Sequence, residues 1–69
     1  MFNQMIYLIS QLKTGTTFSI TEDWLKLNGI NASPTNAKKF GRRFAKVYSN
    51  HSCNYLGKKS NNLRIYEKI

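Results

Sequence analysis

The chain has 69 residues, a net charge of +8 and a single cysteine, Cys53. This length is that of one small domain, residues 1–69, and one cysteine excludes an internal disulfide. The apolar N-terminal segment has no basic residue before it and is interrupted by polar side chains, so it predicts neither a signal peptide nor a membrane anchor. We therefore expect a cytoplasmic protein without a membrane partner.

The charge is distributed unevenly along the chain. Residues 1–33 sum to zero, whereas residues 34–69 carry nine basic residues and one acidic residue. A neutral half joined to a strongly basic half indicates a scaffold that presents a binding face.

The first half of the chain predicts a helix, a strand and a second helix. Apolar side chains at helical spacing (Phe2, Met5, Ile6, Ile9 and Leu12) predict a helix that ends near residue 13. Four of the five residues 16–20 are β-branched or aromatic, and the segment predicts a short strand. Thr21 is a plausible N-cap for a short helix that ends at Gly29, with apolar contacts from Trp24, Leu25 and Leu27.

A basic helix follows, predicted over residues 34–49. Ser33 is suited to its N-cap and Pro34 to its first position, and Asn50 can adopt the left-handed conformation that ends it. Ala37, Phe40, Gly41, Phe44, Val47 and Tyr48 define its apolar face. Beside that face runs a basic stripe that contains no acidic residue, formed by Lys38, Lys39, Arg42, Arg43 and Lys46.

The C-terminal part predicts a β-hairpin. Residues 53–57 and 63–68 have strand character, and the polar residues 58–62 between them form a turn that carries Lys58 and Lys59. On the second strand we expect Leu63 and Ile65 on one face, and Arg64, Tyr66 and Lys68 on the other. The order helix, strand, helix, helix, strand, strand predicts an α+β fold of the winged helix-turn-helix type.

The basic stripe has three interpretations: a nucleic-acid interface, a contact for an acidic protein, or a solvated surface. A merely solvated surface normally mixes charges of both signs, so nucleic acid is favoured. Lys58 and Lys59 either protect the hairpin from strand pairing or extend the stripe as a wing. Tyr66 beside Arg64 either stacks on a base or covers the edge of the core.

Catalysis is not expected. His51 and Cys53 invite a metal or nucleophile hypothesis, but the chain has no second histidine or cysteine to complete a site. Glu22 and Asp23 are explained by the first turn of a helix, where the dipole favours negative charge. We therefore predict no enzyme activity, no cofactor and no metal.

Several short motifs together resemble a known family. They are residues 12–20 (LKTGTTFSI), 24–25 (WL), 40–44 (FGRRF), 55–62 (YLGKKSNN) and 66–68 (YEK). The pattern is similar to short proteins encoded on phages, plasmids and other mobile elements of Gram-positive bacteria, long described as a domain of unknown function. The resemblance implies a small single-stranded-DNA-binding or winged-helix DNA-binding protein.

These observations predict a non-catalytic nucleic-acid-binding protein, monomeric or weakly dimeric, with DNA favoured over RNA. The expected core comprises Ile9, Phe18, Trp24, Leu25, Phe40 and Phe44. The alternative is a small basic inhibitor from a mobile element that binds an acidic surface of a host or defence enzyme. The expected contacts to nucleic acid come from Lys38, Lys39, Arg42, Arg43, Lys46, Lys58, Lys59, Arg64 and Tyr66.

Overall fold

The computed structural model describes residues 1–59 and 63–69, which contain three α-helices and three β-strands. The predicted α+β class and the predicted order of helices and strands are confirmed. The elements are α1 (Phe2–Ser10), β1 (Thr17–Phe18), α2 (Glu22–Leu27), α3 (Pro34–Phe44), a 3₁₀ helix (Tyr48–His51), β2 (Cys53–Lys58) and β3 (Arg64–Lys68).

The three strands form one antiparallel sheet in the order β1-β3-β2. Phe18 of β1 and Tyr55 of β2 both pair with Tyr66 of β3, so these three rings lie on the same face of the sheet. A bulge interrupts β2 between Tyr55 and Gly57, and Gly57 has a φ of +111° that only glycine adopts readily. The aromatic face of the sheet packs against the helices.

Local sequence signals fix the beginnings of α2 and α3. The Thr21 hydroxyl accepts a hydrogen bond from the Trp24 N–H, and the Ser33 hydroxyl accepts one from the Asn36 N–H, both at 3.1 Å. Each cap satisfies a donor that the helix itself leaves without a partner. The two predicted N-caps are thus confirmed.

The end of α2 follows the prediction equally closely. Gly29 has a φ of +81°, and its N–H donates to the Lys26 carbonyl at 3.0 Å. The Ile30 N–H donates to the Leu25 carbonyl at 2.8 Å, which completes a Schellman motif. Because this turn buries Ile30, it sets the direction in which the chain enters α3.

The core joins all three helices to the sheet. Ile9, Phe18, Leu25 and Phe44 are buried as predicted, while Trp24 and Phe40 are partly buried against them. The remaining buried residues are Met5, Ile30, Ala32, Ala37, Cys53 and Tyr66.

One residue that was predicted to supply apolar contacts of α2 is instead on the surface. Leu27 is 86% exposed, so its predicted packing role is wrong. Two positions along a helix turn a side chain by about 200°, so Leu27 cannot share the inner face with Leu25.

Helix α3 is shorter than predicted. It ends at Phe44 and not at residue 49, and 3₁₀-type bonds continue the chain, with the Lys46 N–H donating to the Arg43 carbonyl at 3.1 Å. The early end lets the Tyr48 ring pack 5.6 Å from the Tyr66 ring on the sheet. The left-handed residue that precedes β2 is Ser52, with a φ of 57°, and not Asn50.

The other predicted elements differ only at their ends. Helix α1 stops at Ser10, strand β1 comprises two residues, and Lys58 belongs to β2. The rest of the predicted turn, residues 60–62, lies outside the described residues. Within residues 1–59 and 63–69, no helix combines the length and the apolar character that crossing a membrane requires.

Candidate nucleic-acid interface

A groove of about 570 Å³ lies between α3 and the β2–β3 hairpin. Its uncharged lining comes from Ile20, Ala37, Gly41, Leu63 and Tyr66. Its charged lining consists of four cations, Lys38, Arg42, Lys58 and Arg64, and no carboxylate is among the described residues that line it. Residues far apart in the chain thus place four positive charges around one concave surface.

The helical side of the groove carries Lys38 and Arg42. They lie four positions apart in α3, one above the other on the same face, and both are exposed. Like charges at this spacing destabilise a helix by about 0.2–0.5 kcal/mol. An anion in the groove would remove this repulsion.

The hairpin side carries Lys58 and Arg64. These two residues are direct partners in the β2–β3 register, so their side chains project from the same face of the sheet. Like charges directly opposite each other on antiparallel strands are also destabilising. Arg64 is half-buried, so its charge is less screened by solvent than that of the exposed Lys58.

The helix dipole explains only part of this clustering of cations. Arg42 and Arg43 lie in the last turn of α3, where the helix dipole favours positive charge. That effect does not extend to the first turns of α3, where Lys38 lies, or to a hairpin. The cations that face Arg42 across the groove therefore call for another explanation, and anion binding supplies one.

The predicted basic stripe does not form one surface. Arg43 does not line the groove: its guanidinium carbon lies 4.1 Å from the centre of the Phe2 ring, a cation–π contact with α1. The Phe2 ring in turn packs edge-on against Phe40 with centroids 5.7 Å apart. Lys39, one turn before Arg43, is exposed on the same side of the helix.

Two further predicted contacts, Lys46 and Lys59, do not line the groove. Lys46 is exposed but follows the end of α3, so the helix no longer fixes its direction. Lys59 is exposed just after β2, and its N–H donates to the Leu63 carbonyl at 2.8 Å, which holds it beside the groove-lining Lys58.

The prediction that Tyr66 stacks on a base is wrong for the folded protein. Its side chain is 1% exposed, and its ring centroid lies 5.0 Å from that of Phe44 and 5.7 Å from that of Phe18. The other predicted role, in which Tyr66 covers the core, agrees with its position against the aromatic rings of β1 and α3. Tyr66 therefore forms part of the floor of the groove, with almost none of its side chain accessible to a ligand.

The Tyr66 hydroxyl is in an unusual environment. Its oxygen is buried and has no hydrogen-bond partner among the residues that the structure describes. Burial raises the pKa of Tyr66, and the nearby positive charge of Arg64 opposes that rise. The phenol therefore stays neutral at physiological pH and contributes no charge to the groove.

Gly41 contributes to the groove through its lack of a side chain. It lies inside α3 between the two helical cations and lines the concave surface. Glycine within a helix is about 0.5–1 kcal/mol less favourable than alanine. The prediction assigned Gly41 only to the apolar face, and nothing in the local pattern distinguishes that role from one in ligand binding.

His51 and Cys53 are linked by a hydrogen bond that supports the fold. The Cys53 thiol is buried and donates a weak hydrogen bond to the His51 carbonyl, with sulfur and oxygen 3.4 Å apart. Burial raises the pKa of Cys53, with Lys68 acting in the opposite direction. In residues 1–59 and 63–69, no three histidine, cysteine or carboxylate side chains are grouped as metal ligands.

A second groove, also of about 570 Å³, provides a contrast in charge. It lies between α1 and the end of α2, and the described residues that line it are uncharged: Asn3, Gln4, Tyr7, Leu8, Gln11, Asn28, Gly29 and Ile30. Of these two grooves, the α3–hairpin groove is thus lined by cations, whereas the other is lined by uncharged residues.

Comparison with protein-family models, with curated proteins and with solved structures finds no match in any of the three. The resemblance of the short sequence motifs to a family from mobile elements therefore stays a prediction. The charge and shape of the groove are therefore the observations from which a function can be inferred.

Proposed function

We propose that the protein is a non-catalytic nucleic-acid-binding domain, with DNA as its ligand, and that the groove between α3 and the β2–β3 hairpin is the centre of its interface. The observation that carries the proposal is the convergence of Lys38 and Arg42 with Lys58 and Arg64 around one groove without a lining carboxylate. A phosphate backbone is the ligand that such an arrangement fits best, since its charges repeat along its length.

The topology supports a winged-helix interpretation. The α2 and α3 helices are joined by a short turn, as in helix-turn-helix proteins, and the β2–β3 hairpin flanks the second helix. In this interpretation α3 is the recognition helix and the hairpin is the wing. Lys39, Lys46 and Lys59 extend the interface around the groove, and Arg43 contributes from its position over Phe2.

The binding energy in this proposal is chiefly electrostatic. If about four to six phosphates are neutralised, the logarithm of the binding constant falls with the logarithm of salt concentration with a slope of roughly −3 to −5. Fluorescence anisotropy with labelled single-stranded and duplex oligonucleotides, in DNA and RNA forms, measures both the affinity and this slope. A slope near zero contradicts the proposal.

A pair of charge-matched variants makes the test specific to the groove. The double variant Lys38→Glu/Arg42→Glu reverses both helical cations, and we expect it to abolish measurable binding. The control Lys13→Glu/Lys26→Glu changes the net charge by the same amount at exposed positions that do not line the groove. Equal losses in both variants would show that binding follows net charge and does not use the groove.

An acidic protein surface is the second candidate partner, as for an inhibitor of a host or defence enzyme. The observation that favours it is the exposure of two large apolar side chains on β2, with Tyr55 at 40% and Leu56 at 52%. Protein interfaces use such anchors, whereas phosphate contacts do not need them. Leu56→Ala should leave oligonucleotide affinity unchanged if nucleic acid is the ligand.

The cellular setting follows from the same proposal. Nucleic acid is the expected partner in the cytoplasm, and the motif resemblance adds a phage, plasmid or other mobile element as the context. Both statements stay predictions, and co-purification of nucleic acid with the tagged protein from its host would test them together.

A further inference from the structure

Gly41 is a glycine that the fold itself does not require. It lies within α3, where the backbone is helical and alanine is more favourable than glycine. The conformation at Gly41 is therefore one that other residues adopt without strain. A conformational reason for glycine is absent here, in contrast to Gly29 and Gly57, whose φ angles are positive.

Packing does not require glycine at this position either. A Cβ atom placed on Gly41 would have the Ile20 carbonyl oxygen as its nearest described neighbour, at 3.9 Å. This is an ordinary van der Waals separation, so an alanine would fit without displacing its surroundings. Gly41 itself lines the groove beside Lys38 and Arg42, so a side chain at this position would reduce the space in the groove.

We infer that Gly41 leaves space in the groove for one sugar–phosphate strand. This strand contacts the backbone of α3 at Gly41, while cations on both sides of the groove bind its phosphates. The inference rests on the proposed function and deepens it by naming the part of the nucleic acid that enters the groove. Glycine allows a ligand to approach the backbone more closely than any other residue does. The loss of helix stability at Gly41 is then offset by the closer contact.

The volume of the groove is compatible with one strand. A volume of about 570 Å³ is that of a small-ligand pocket and is far too small for a duplex. The major groove of B-form DNA, about 12 Å wide, admits an α-helix, so a duplex would lie over α3 with one of its backbones in the groove. A single strand would run through the groove alone. A duplex and a single strand would therefore both present a sugar–phosphate backbone to Gly41.

The test compares variants at Gly41 with a control on the same helix. Gly41→Ala adds one methyl group, and Gly41→Leu adds a side chain that fills the groove. Thr35→Leu adds similar bulk at an exposed position of α3 that does not line the groove. Each variant is measured by thermal denaturation and by anisotropy with a single-stranded oligonucleotide and its matched duplex.

We expect Gly41→Ala to melt at a higher temperature than the parent and to bind about tenfold more weakly, the lower end of what one misplaced methyl group costs in a fitted site. Gly41→Leu should weaken binding further, and Thr35→Leu should leave it unchanged. Weakening of single-strand binding alone identifies a free strand as the ligand, and weakening with both probes identifies a strand that the duplex also presents.

Three results would overturn the inference. If Gly41→Ala is less stable than the parent, the packing around α3 requires a glycine at this position. If it is more stable and binds both probes as the parent does, no ligand contacts this position, although the proposed function stands. If the parent itself binds neither probe, the proposed function fails and the inference fails with it. Should Gly41→Leu not fold, the alanine variant alone decides.

Discussion

Lys58 and Arg64 face each other in register across β2 and β3, two positive charges held side by side at the edge of a positively charged groove. A hairpin selected only for stability would place opposite charges at such a pair. This pair instead faces Lys38 and Arg42 of α3 across the groove. The same side chains thus reduce the stability of the free protein and strengthen its attraction for an anion.

Reversing one of these charges should separate the two effects. Lys58→Glu creates an attractive pair with Arg64 and is expected to raise the free energy of unfolding by about 0.2–1 kcal/mol. It should at the same time weaken oligonucleotide binding, because a groove cation becomes an anion. Urea denaturation and anisotropy provide the two measurements. Lys59→Glu, without that cross-strand partner, is the stability control and should not show the gain.

Arg42 and Arg43 are neighbours in the chain with different surroundings, so their variants should differ. Arg42→Glu changes a groove cation and should lower affinity strongly. Its stability should change little, because the new attraction to Lys38 offsets the lost interaction with the helix dipole. Arg43→Glu removes the cation–π contact with Phe2 and should cost about 0.5–1 kcal/mol of stability. Its effect on affinity should be smaller than that of Arg42→Glu. The reverse order of affinities would place the interface on the α1 side of the helix.

The buried hydroxyl of Tyr66 gives a test of its structural role. Tyr66→Phe removes a buried oxygen that has no hydrogen-bond partner among the described residues, and it keeps the ring. Because an unsatisfied buried hydroxyl costs about 1–3 kcal/mol, the variant should be at least as stable as the parent. Oligonucleotide affinity should not change. Loss of affinity in a fully folded variant would show that the hydroxyl does reach the ligand.

Phe44 links α3 to the sheet and should be essential for folding. It is fully buried, and its ring packs against Tyr66, Phe18 and the His51 ring. Phe44→Ala should cost about 3–5 kcal/mol, which approaches the whole stability of so small a domain. Circular dichroism on heating measures the loss. Phe40→Ala, at a partly buried position of the same helix, should cost less.

Alkaline pH should destabilise the fold through Cys53 and Tyr66. Burial raises the pKa of both groups, so the folded protein holds its protons after the unfolded chain has released them. Stability from this source is complete below the ordinary thiol pKa of about 9.0 and is lost as the pH rises through the folded values. Urea denaturation between neutral and alkaline pH should show the decline. A Cys53→Ala/Tyr66→Phe variant should show a smaller one.

The success of sequence-based prediction here depends on distance along the chain. The caps at Thr21 and Ser33 and the turn at Gly29 were predicted correctly because each depends on residues within one helical turn. The basic helix was also predicted, since its periodicity is local. The role of Tyr66 was left open between two alternatives, because it depends on the Phe18 and Phe44 rings that other elements bring to the sheet.

The four cations of the groove were among the predicted site residues, but the geometry that brings them together was not predicted. The pattern identified Lys38 and Arg42 as well as Lys58 and Arg64, but periodicity cannot show that a helix and a hairpin enclose one groove. It also could not separate Arg43 from the groove, since the contact with Phe2 joins residues 41 positions apart. The role proposed for Gly41 becomes visible only when both sides of the groove are in place.

The position of β3 has a consequence for the order in which the protein matures. It is the last of the three strands in the chain but the middle strand of the sheet, with hydrogen bonds to both neighbours. During synthesis, neither β1 nor β2 has its partner until β3 has emerged from the ribosome. We therefore expect a nascent chain that ends before residue 64 to present a basic helix without its opposing wall, and to acquire nucleic-acid affinity abruptly as β3 is added. Ribosome-arrested chains of increasing length would record that step.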